Sequence, residues 1–256
     1  MALKENYTVP SIARALDVLE LIAASNGGRS VTEMSRGLEI PMSSTDLIAK
    51  TLERQGYLQR GAHSGKYCIG LKLVSLSRRA LDSLALREEA KAFLHTLMAQ
   101  TGLTVHMAVL ENNGAIIIDK VDRLGLPKLA SFVGRRIDSH CTGVGKALIA
   151  FMPTEKFEQQ IAAKGLAKHN ENTIVSINSL RRELARVREV GYALDDEEDE
   201  LGFRCIGTPI FGDGRKPVAA ISVAGTTSQI PIDRVRALGE KLKLSAASIS
   251  SHLGYT

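Results

Sequence analysis

Three short helical patterns and two short β-forming stretches follow one another within the first 70 residues, and few folds accommodate that order. An apolar stripe at helical spacing predicts an amphipathic helix over residues 9–24. Its members are Ile12, Leu16, Leu19 and Ile22 or Ala23. The stretch Ser-Asn-Gly-Gly at 25–28 ends this helix. A chain that begins in this way is expected to form a small helical domain.

Two further helices are marked by their end signals. Ser30 and Glu33 match the S-x-x-E capping box, and Gly37 is expected to close this brief helix. Pro41 suits the first turn of a third helix, where its missing N–H costs nothing, and Gly56 suits the position just after its end. Two short helices with a tight connection predict a helix-turn-helix unit. The buried face of the third helix is expected to consist of Leu47, Ile48 and Leu52, with Thr51 as a further candidate.

A hairpin follows these helices. Residues 57–60 and 66–69 are β-forming and flank the glycine-containing loop 61–65. Three helices and a hairpin predict a winged helix-turn-helix, whose third helix enters the DNA major groove. No Asp or Glu occurs from Arg54 to Leu81, which favours contact with phosphates. The residues predicted to contact DNA are Ser30, Thr32, Met42, Ser43, Ser44, Thr45, Asp46, Lys50 and Arg54 on the helices, and Arg60, His63, Ser64 and Lys66 on the hairpin.

The composition permits DNA binding without requiring it. The 256 residues include 33 Lys or Arg and 28 Asp or Glu, for a net charge of +5 that a soluble enzyme would also carry. An apolar fraction of 44% excludes a disordered chain. No apolar run approaches the ~20 residues of a membrane span, and the N-terminus lacks a signal-peptide stretch, so we expect a cytoplasmic protein with no membrane partner. Cys68, Cys141 and Cys205 form no C-x-x-C pair, so neither disulfides nor a zinc site is expected.

The rest of the chain mixes strands and helices in an α+β pattern. Strands are expected at 105–110, 115–121, 129–133, 192–194, 204–211 and 217–224. Helices are expected at 71–83, 86–101, 143–151, 154–163, 179–190 and 233–253.

Two motifs in this part indicate ligands without defining an enzyme. The stretch Gly143-Val144-Gly145-Lys146-Ala147 lacks the first glycine and the hydroxyl of a P-loop. A loop that enters a helix N-terminus attracts a carboxylate instead. The six consecutive acids at 195–200 do not all face one way, so no single metal site is expected there. No nucleophile stands with a base in a compelling pattern, so no catalytic residue, metal site or cofactor is predicted.

Four segments, taken in order, resemble the IclR family of bacterial transcriptional regulators. They are residues 11–19, 40–58, 140–147 and 195–206, and the resemblance covers nearly the whole chain. It implies an N-terminal winged helix-turn-helix joined by a helical linker to a GAF-like antiparallel-sheet effector domain, with boundaries at 1–70, 71–84 and 85–256. It also implies a homodimer that binds operator DNA and a small effector. A tetramer built from two such dimers is the further possibility that the resemblance implies.

The resemblance places the effector pocket residue by residue. Its expected members are Leu129, Ile137, Gly143, Val144, Asp195, Phe203, Cys205, Ser222 and Ala224. Phe203 and Ala224 depart from the Leu and Ser common in the family, which favours a more apolar effector than a two-carbon acid. The third helix departs as well, because Met42, Asp46 and Leu47 replace cationic and aromatic reading groups. Asp46 would repel phosphate or accept a hydrogen bond from a cytosine amino group.

The sequence therefore predicts a ligand-responsive regulator of a catabolic operon, which binds a near-palindromic operator as a dimer and a carboxylate-type effector. Two alternatives remain open at this point. One is a small-molecule enzyme with a helical N-terminal appendage. The other is a sensor that has lost operator binding. The substitutions in the third helix leave this alternative open.

Overall fold

The computed structural model describes residues 9–61, 64–82, 84–111, 114–123, 125, 129–212 and 216–255. His63, a predicted DNA contact, lies outside the described residues, as do Asn112 and Asn113. The chain divides into two compact units, residues 1–83 and 84–256. The α+β class that the sequence predicted is confirmed.

The first unit contains four helices and one hairpin among its described residues. The elements are α1 (Pro10–Ala23), α2 (Val31–Leu38), α3 (Met42–Arg54), β1 (Leu58–Arg60), β2 (Tyr67–Ile69) and α4 (Lys72–Asp82). β1 and β2 pair antiparallel, and Arg29 bridges to Tyr67 on the other side of β2. The winged helix-turn-helix layout is therefore present.

The core of this unit is small, and it corrects two predictions about helix faces. It consists of Val18, Ile22, Met34, Ala49, Leu58 and Tyr67. Only the C-terminal half of α1 reaches it, so Ile12 and Leu16, which were expected to be buried, are 58% and 55% exposed. In α3 the buried residues are Thr45 and Ala49, four positions apart, whereas Leu47 is 68% exposed and Thr51 is exposed too.

Helix α2 ends differently from the prediction. Gly37 lies inside the helix, which continues to Leu38. Glu39 then ends it in the left-handed region at φ 54°. Gly56 follows α3 at φ 79°, the conformation in which glycine avoids the Cβ penalty.

The second unit is a six-stranded antiparallel sheet in the order β5-β4-β3-β8-β7-β6. Its strands are β3 (Thr104–Glu111), β4 (Gly114–Val121), β5 (Arg136–Ile137), β6 (Ala193–Asp196), β7 (Phe203–Phe211) and β8 (Pro217–Thr226). Its helices are α5 (Ala85–Thr101), α6 (Gly143–Ile149), α7 (Thr154–Lys164), α8 (Ile177–Val190) and α9 (Val235–His252). Helices α5 and α9 pack against each other and against the sheet, and α6 packs on β3, β6, β7 and β8.

The predicted strand at 129–133 is wrong. That segment is irregular, and the short strand β5 forms a few residues later. The carbonyls of Leu129 and Ser131 accept hydrogen bonds from Lys120 Nζ at 3.4 and 2.9 Å instead of pairing with a strand. Gly134 at φ 94° then turns the chain into β5.

No helix among the described residues is long and apolar enough to cross a bilayer.

Candidate functional site

The helix-turn-helix is held together by a capping box that also reaches the hairpin. The Glu33 N–H donates to Ser30 Oγ at 3.2 Å, and the Ser30 N–H donates to Glu33 Oε2 at 2.6 Å. Glu33 Oε1 accepts from Lys66 Nζ at 3.1 Å. The backbone N–H of Ser30 and then Lys66 lower the pKa of Glu33 to about 2. Lys66 therefore serves first to attach the wing to α2.

The exposed face of α3 differs from a strongly cationic reading surface. Met42 and Leu47 are exposed, with Ser43 beside them. Lys50 Nζ lies 2.7 Å from Asp46 Oδ2, one turn away, and this carboxylate raises the pKa of Lys50. Asp46 thus neutralises the one lysine of the helix.

Thr45 is a correction to the predicted DNA contacts. Its side chain is fully buried, and Oγ1 donates to the Pro41 carbonyl at 3.1 Å. A buried hydroxyl that is bonded to the carbonyl one turn earlier does not reach a groove of DNA. The partly buried Ser30 has its oxygen committed to the capping box, whereas Thr32 and Arg54 are exposed.

On the hairpin, a hydrogen bond and a ring contact restrain the side chain of Arg60. Arg60 Nε donates to the Gly65 carbonyl at 3.0 Å, and its guanidinium carbon lies 5.6 Å from the centre of the Tyr67 ring. Ser64 is exposed beside it, next to the undescribed position of His63. These two contacts therefore hold the Arg60 side chain in place on the hairpin.

The second unit encloses a cavity of about 80 Å³. Eight of the nine residues expected to bind an effector line it: Leu129, Ile137, Val144, Asp195, Phe203, Cys205, Ser222 and Ala224. The sequence did not point to the remaining lining residues: His106, Ile117, Ala130, Ser131, Arg135, Thr142, Asp199, Glu200 and Arg204.

The ninth residue, Gly143, lies behind the wall. A Cβ on Gly143 would lie 3.0 Å from Cys205 Sγ, and a Cβ on Gly207 would lie 2.4 Å from the Gly143 carbonyl. Both glycines are therefore needed for α6 to pack directly on β7. This close approach brings Val144 to the cavity.

Strand register brings the polar groups together. Asp195 pairs with Cys205, which pairs with Ala224. Two residues along, Ser222 pairs with His106. Residues two apart on a strand share a face, so both rows lie on one side of the sheet.

Asp195 is buried in this row. Its Oδ1 accepts from the N–H groups of Glu198 and Asp199 at 2.9 and 3.4 Å. Burial raises the pKa of Asp195 to about 7, against the opposing charge of Lys146. The carboxyl can therefore gain or lose a proton near neutral pH.

His106 is one of the polar lining residues that sequence reasoning missed. Its Nε2 lies 2.8 Å from Ser131 Oγ, and its Nδ1 lies 3.5 Å from Ser222 Oγ. Burial, helped by Lys120, lowers the pKa of His106 to about 4, so the ring is neutral at pH 7. The sequence signal that could have identified His106 is a single histidine within the otherwise apolar strand pattern of residues 105–110.

Charged groups close one side of the cavity. Arg135 NH2 lies 3.9 Å from Asp199 Oδ2, and Arg204 Nε donates to Asp196 Oδ1 at 2.7 Å. Arg135 lies farther from its carboxylate partner than Arg204 does, so Arg135 is the cation better placed to bind an anionic ligand.

Lys146 plays no part in phosphate binding. It is fully buried, and its Nζ donates to the Leu194 carbonyl and to Glu198, with Glu183 3.7 Å away.

Burial raises the pKa of Cys141 and raises that of Cys205 to about 12, so neither thiol is ionised at neutral pH.

Known proteins resemble this chain over almost its full length. Residues 11–62 match the family model for the IclR helix-turn-helix domain, and residues 78–251 match the model for the bacterial transcriptional regulator IclR C-terminal domain. The transcriptional repressor IclR of Escherichia coli strain K12 is 35% identical over 248 residues, which cover 96% of this chain and 90% of that protein.

Solved structures have the same fold. The crystal structure of Thermotoga maritima IclR is 30% identical with a TM-score of 0.76, covering 96% of this chain and 99% of that one. An IclR homologue from Microbacterium hydrocarbonoxydans, complexed with 4-hydroxybenzoate, is 24% identical with a TM-score of 0.81, covering 95% of this chain and 99% of that one.

Proposed function

This chain belongs to the IclR family of bacterial transcriptional regulators, and we propose that it is a ligand-responsive regulator whose effector is a small carboxylate. It carries a helix-turn-helix DNA-binding domain. The curated relatives are transcriptional regulators, several of them repressors, which removes the enzyme alternative.

In this proposal, DNA binding and effector binding belong to different units of the chain. Residues 1–70 bind one half of a near-palindromic operator in the cytoplasm, residues 71–84 connect, and residues 85–256 bind the effector. An effector changes operator binding only if its affinity differs between the DNA-competent and the incompetent states. A catabolic operon is the proposed target.

One observation carries the proposal of an effector: a cavity in which buried polar groups converge between apolar walls. About 10–15 Å³ holds one water, so about 80 Å³ accepts a molecule of roughly five to eight heavy atoms. Arg135 supplies a cation for a carboxylate, while Ser222 and the neutral His106 supply hydrogen bonds. Ile117 and Phe203 favour an apolar body beyond two carbons.

Exposed apolar side chains in the first unit support a dimer. They are Val9, Ile12 and Leu16 at α1, and Leu71, Val74 and Leu76 at α4. Groups of exposed large apolar side chains mark contact surfaces. A second copy of this chain also satisfies the two-fold symmetry of a palindromic site. Light scattering after size-exclusion chromatography distinguishes dimer from tetramer, and a monomer at micromolar concentration would contradict this part of the proposal.

Operator binding is tested on the intergenic DNA upstream of the protein's own gene, by fluorescence anisotropy with excess competitor across a salt series. We expect saturable binding that survives competitor. Arg54→Ala should weaken binding, because Arg54 is exposed on the helix proposed to lie in the groove. Lys91→Ala is the matched control, since it removes an exposed cation from the second unit. Equal affinity for every sequence would favour the sensor that has lost operator binding.

Effector binding is tested by calorimetry with a panel of monocarboxylates of three to six carbons. Arg135→Gln should lower the affinity for the best ligand at least tenfold. Arg136→Gln should not, because Arg136 pairs with Glu111 and does not line the cavity. Equal losses in the two variants, or no binding by the wild type, would remove the carboxylate assignment.

A further inference from the structure

Three side chains that are metal ligands in many proteins meet beside the cavity, although they lie in separate parts of the sequence. One ligand atom of each of Cys141, His169 and Asp199 lies within 4.8 Å of the others. Cys141 is fully buried, while the side chains of His169 and Asp199 are 33% and 24% exposed. The cluster therefore combines a dry thiol with two groups that an ion can reach from solvent.

We propose that Cys141, His169 and Asp199 form a binding site for a divalent transition-metal ion, with Zn²⁺ as the best match. Zinc takes thiolate sulfur, imidazole nitrogen and carboxylate oxygen ligands at about 2.3, 2.0–2.1 and 2.0–2.2 Å in tetrahedral geometry. Because the sulfur ligand is the thiolate, Cys141 releases its proton to solvent as the ion binds. Ligand atoms around such an ion lie roughly 3.3–3.6 Å apart. Cys141 Sγ lies 3.9 Å from Asp199 Oδ1, so this pair needs only a small contraction. The His169 ligand atom lies within 4.8 Å of both, so the imidazole must move closer by up to about 1.5 Å when the ion binds. Three protein ligands leave the fourth position open for water or another ligand.

The segment that carries His169 is tied to the acidic loop that carries Asp199. Asn170 Nδ2 donates to the carbonyls of Glu197 and Glu198 at 2.9 and 3.2 Å. Thr173 Oγ1 donates to the Glu198 carbonyl at 2.7 Å. The imidazole and the carboxylate are thus held near each other before any ion binds, which lowers the ordering cost of binding.

A second set of contacts ties the Cys141 segment to the same place. His140 Nε2 donates to the Ala167 carbonyl at 2.9 Å, and the His140 ring stacks on that of His169 with 6.3 Å between centroids. Asp138 Oδ2 lies 3.0 Å from His169 Nε2 and orients the imidazole. Carboxylates bonded to a ligating imidazole are a regular part of metal sites.

Neighbouring acids do not compete for the ion. Glu198 is engaged by the buried Lys146, and Asp195 Oδ1 accepts two backbone N–H groups. Within the described part of the chain, the cation paired with Asp199 is Arg135, which lies 3.9 Å away. Because Asp199 lines the effector cavity as well, a bound ion would add positive charge to that wall and strengthen the binding of anions there.

The test uses the full-length protein after treatment with a chelator, titrated with Co²⁺ as a spectroscopic substitute for Zn²⁺. We expect one ion per chain, a thiolate-to-cobalt charge-transfer band and the intense visible bands of four-coordinate Co²⁺. Added Zn²⁺ should displace the Co²⁺ and remove both signals. Cys141→Ser should abolish the charge-transfer band, whereas Cys68→Ser, a thiol in the first unit, should retain it.

A second variant guards against misfolding at the buried cysteine. His169→Ala changes a partly exposed side chain and should lower the Zn²⁺ affinity about 100-fold or more, by calorimetry, while the far-ultraviolet circular dichroism stays unchanged. Absence of the charge-transfer band in the wild type, or its persistence in Cys141→Ser, would overturn the proposal. Unchanged Zn²⁺ affinity in His169→Ala would do the same. None of these readouts involves DNA or a carboxylate, so the metal site and the proposed function are tested separately.

Discussion

Replacement of Asp195 by asparagine is expected to stabilise the second unit at neutral and alkaline pH while changing little near pH 4. Burial raises the pKa of this carboxyl from 3.8 to about 7. Between those values the folded protein keeps a proton that the unfolded chain releases. The stability associated with the protonated form is therefore fully present below pH 3.8 and is lost as the pH rises through about 7.

The size of the effect follows from that pKa. A tenfold change in an ionisation constant is worth about 1.4 kcal/mol. A rise from 3.8 to about 7 therefore costs the wild type about 4 kcal/mol of unfolding free energy once the carboxyl is ionised. Asparagine avoids this cost, and its Oδ1 can still accept from the N–H groups of Glu198 and Asp199. The gain of Asp195→Asn should grow from near zero at pH 4 to about 4 kcal/mol by pH 8.

Urea unfolding followed by far-ultraviolet circular dichroism, at several pH values from 4.5 to 8, measures this difference. Circular dichroism is the suitable probe because the chain contains no tryptophan. Asp233→Asn, at an exposed position in the same unit, is the control that should leave the pH profile unchanged. A constant difference between Asp195→Asn and the wild type across this range, or a wild type that is more stable at pH 8, would refute the reasoning.

Three further perturbations test other parts of the structure. Asp46→Ala releases Lys50 for a phosphate in each protomer of the proposed dimer. The salt dependence of operator binding should therefore steepen by about 1.8 in log–log slope, an extra loss of about 12-fold between 50 and 200 mM salt. An unchanged slope, or weaker specific binding, would assign Asp46 to base contact instead. Gly207→Ala places a Cβ 2.4 Å from the backbone carbonyl of Gly143 in α6. It should lower the unfolding free energy of the second unit by about 1–3 kcal/mol in urea melts. An unchanged unfolding free energy would mean that α6 shifts freely on β7. Thr45→Val removes a buried hydrogen bond and should cost about 1 kcal/mol of stability. The exposed control Thr51→Val should cost less, and neither variant should change operator affinity while folded; a selective loss of operator affinity in Thr45→Val would restore Thr45 as a DNA contact.

Signals that act within a few residues were readable from the sequence. The capping box of Ser30 and Glu33 and the glycine after the end of α3 are present, and α3 begins one residue after Pro41, which was expected in its first turn. Each depends on the backbone N–H groups or the φ angle of its own neighbourhood, and therefore on local chain chemistry alone. The same reasoning located β3, β4, β7 and β8 to within one or two residues.

Helix faces were less predictable, because apolar spacing does not reveal how far a core extends. Ile12, Leu16 and Leu47 belong to good helical stripes, yet they are exposed because the first unit has few residues to place against them. The segment 129–133 has the composition of a strand, but its carbonyls are taken by a lysine of β4.

Eight residues that line the cavity were named through resemblance, whereas the other lining residues and the arrangement of all of them are properties of the tertiary structure. Strand register sets Asp195 opposite Cys205 and Ser222 opposite His106, and no local signal carries register between distant strands. Cys141, His169 and Asp199 likewise meet only because hydrogen bonds tie three loops together. The sequence by itself determined most of the helices and strands and their order, since those depend on neighbouring residues. The tertiary structure decided which side chains are buried, which titrate near neutral pH and which meet, because those properties depend on packing between residues far apart in the chain.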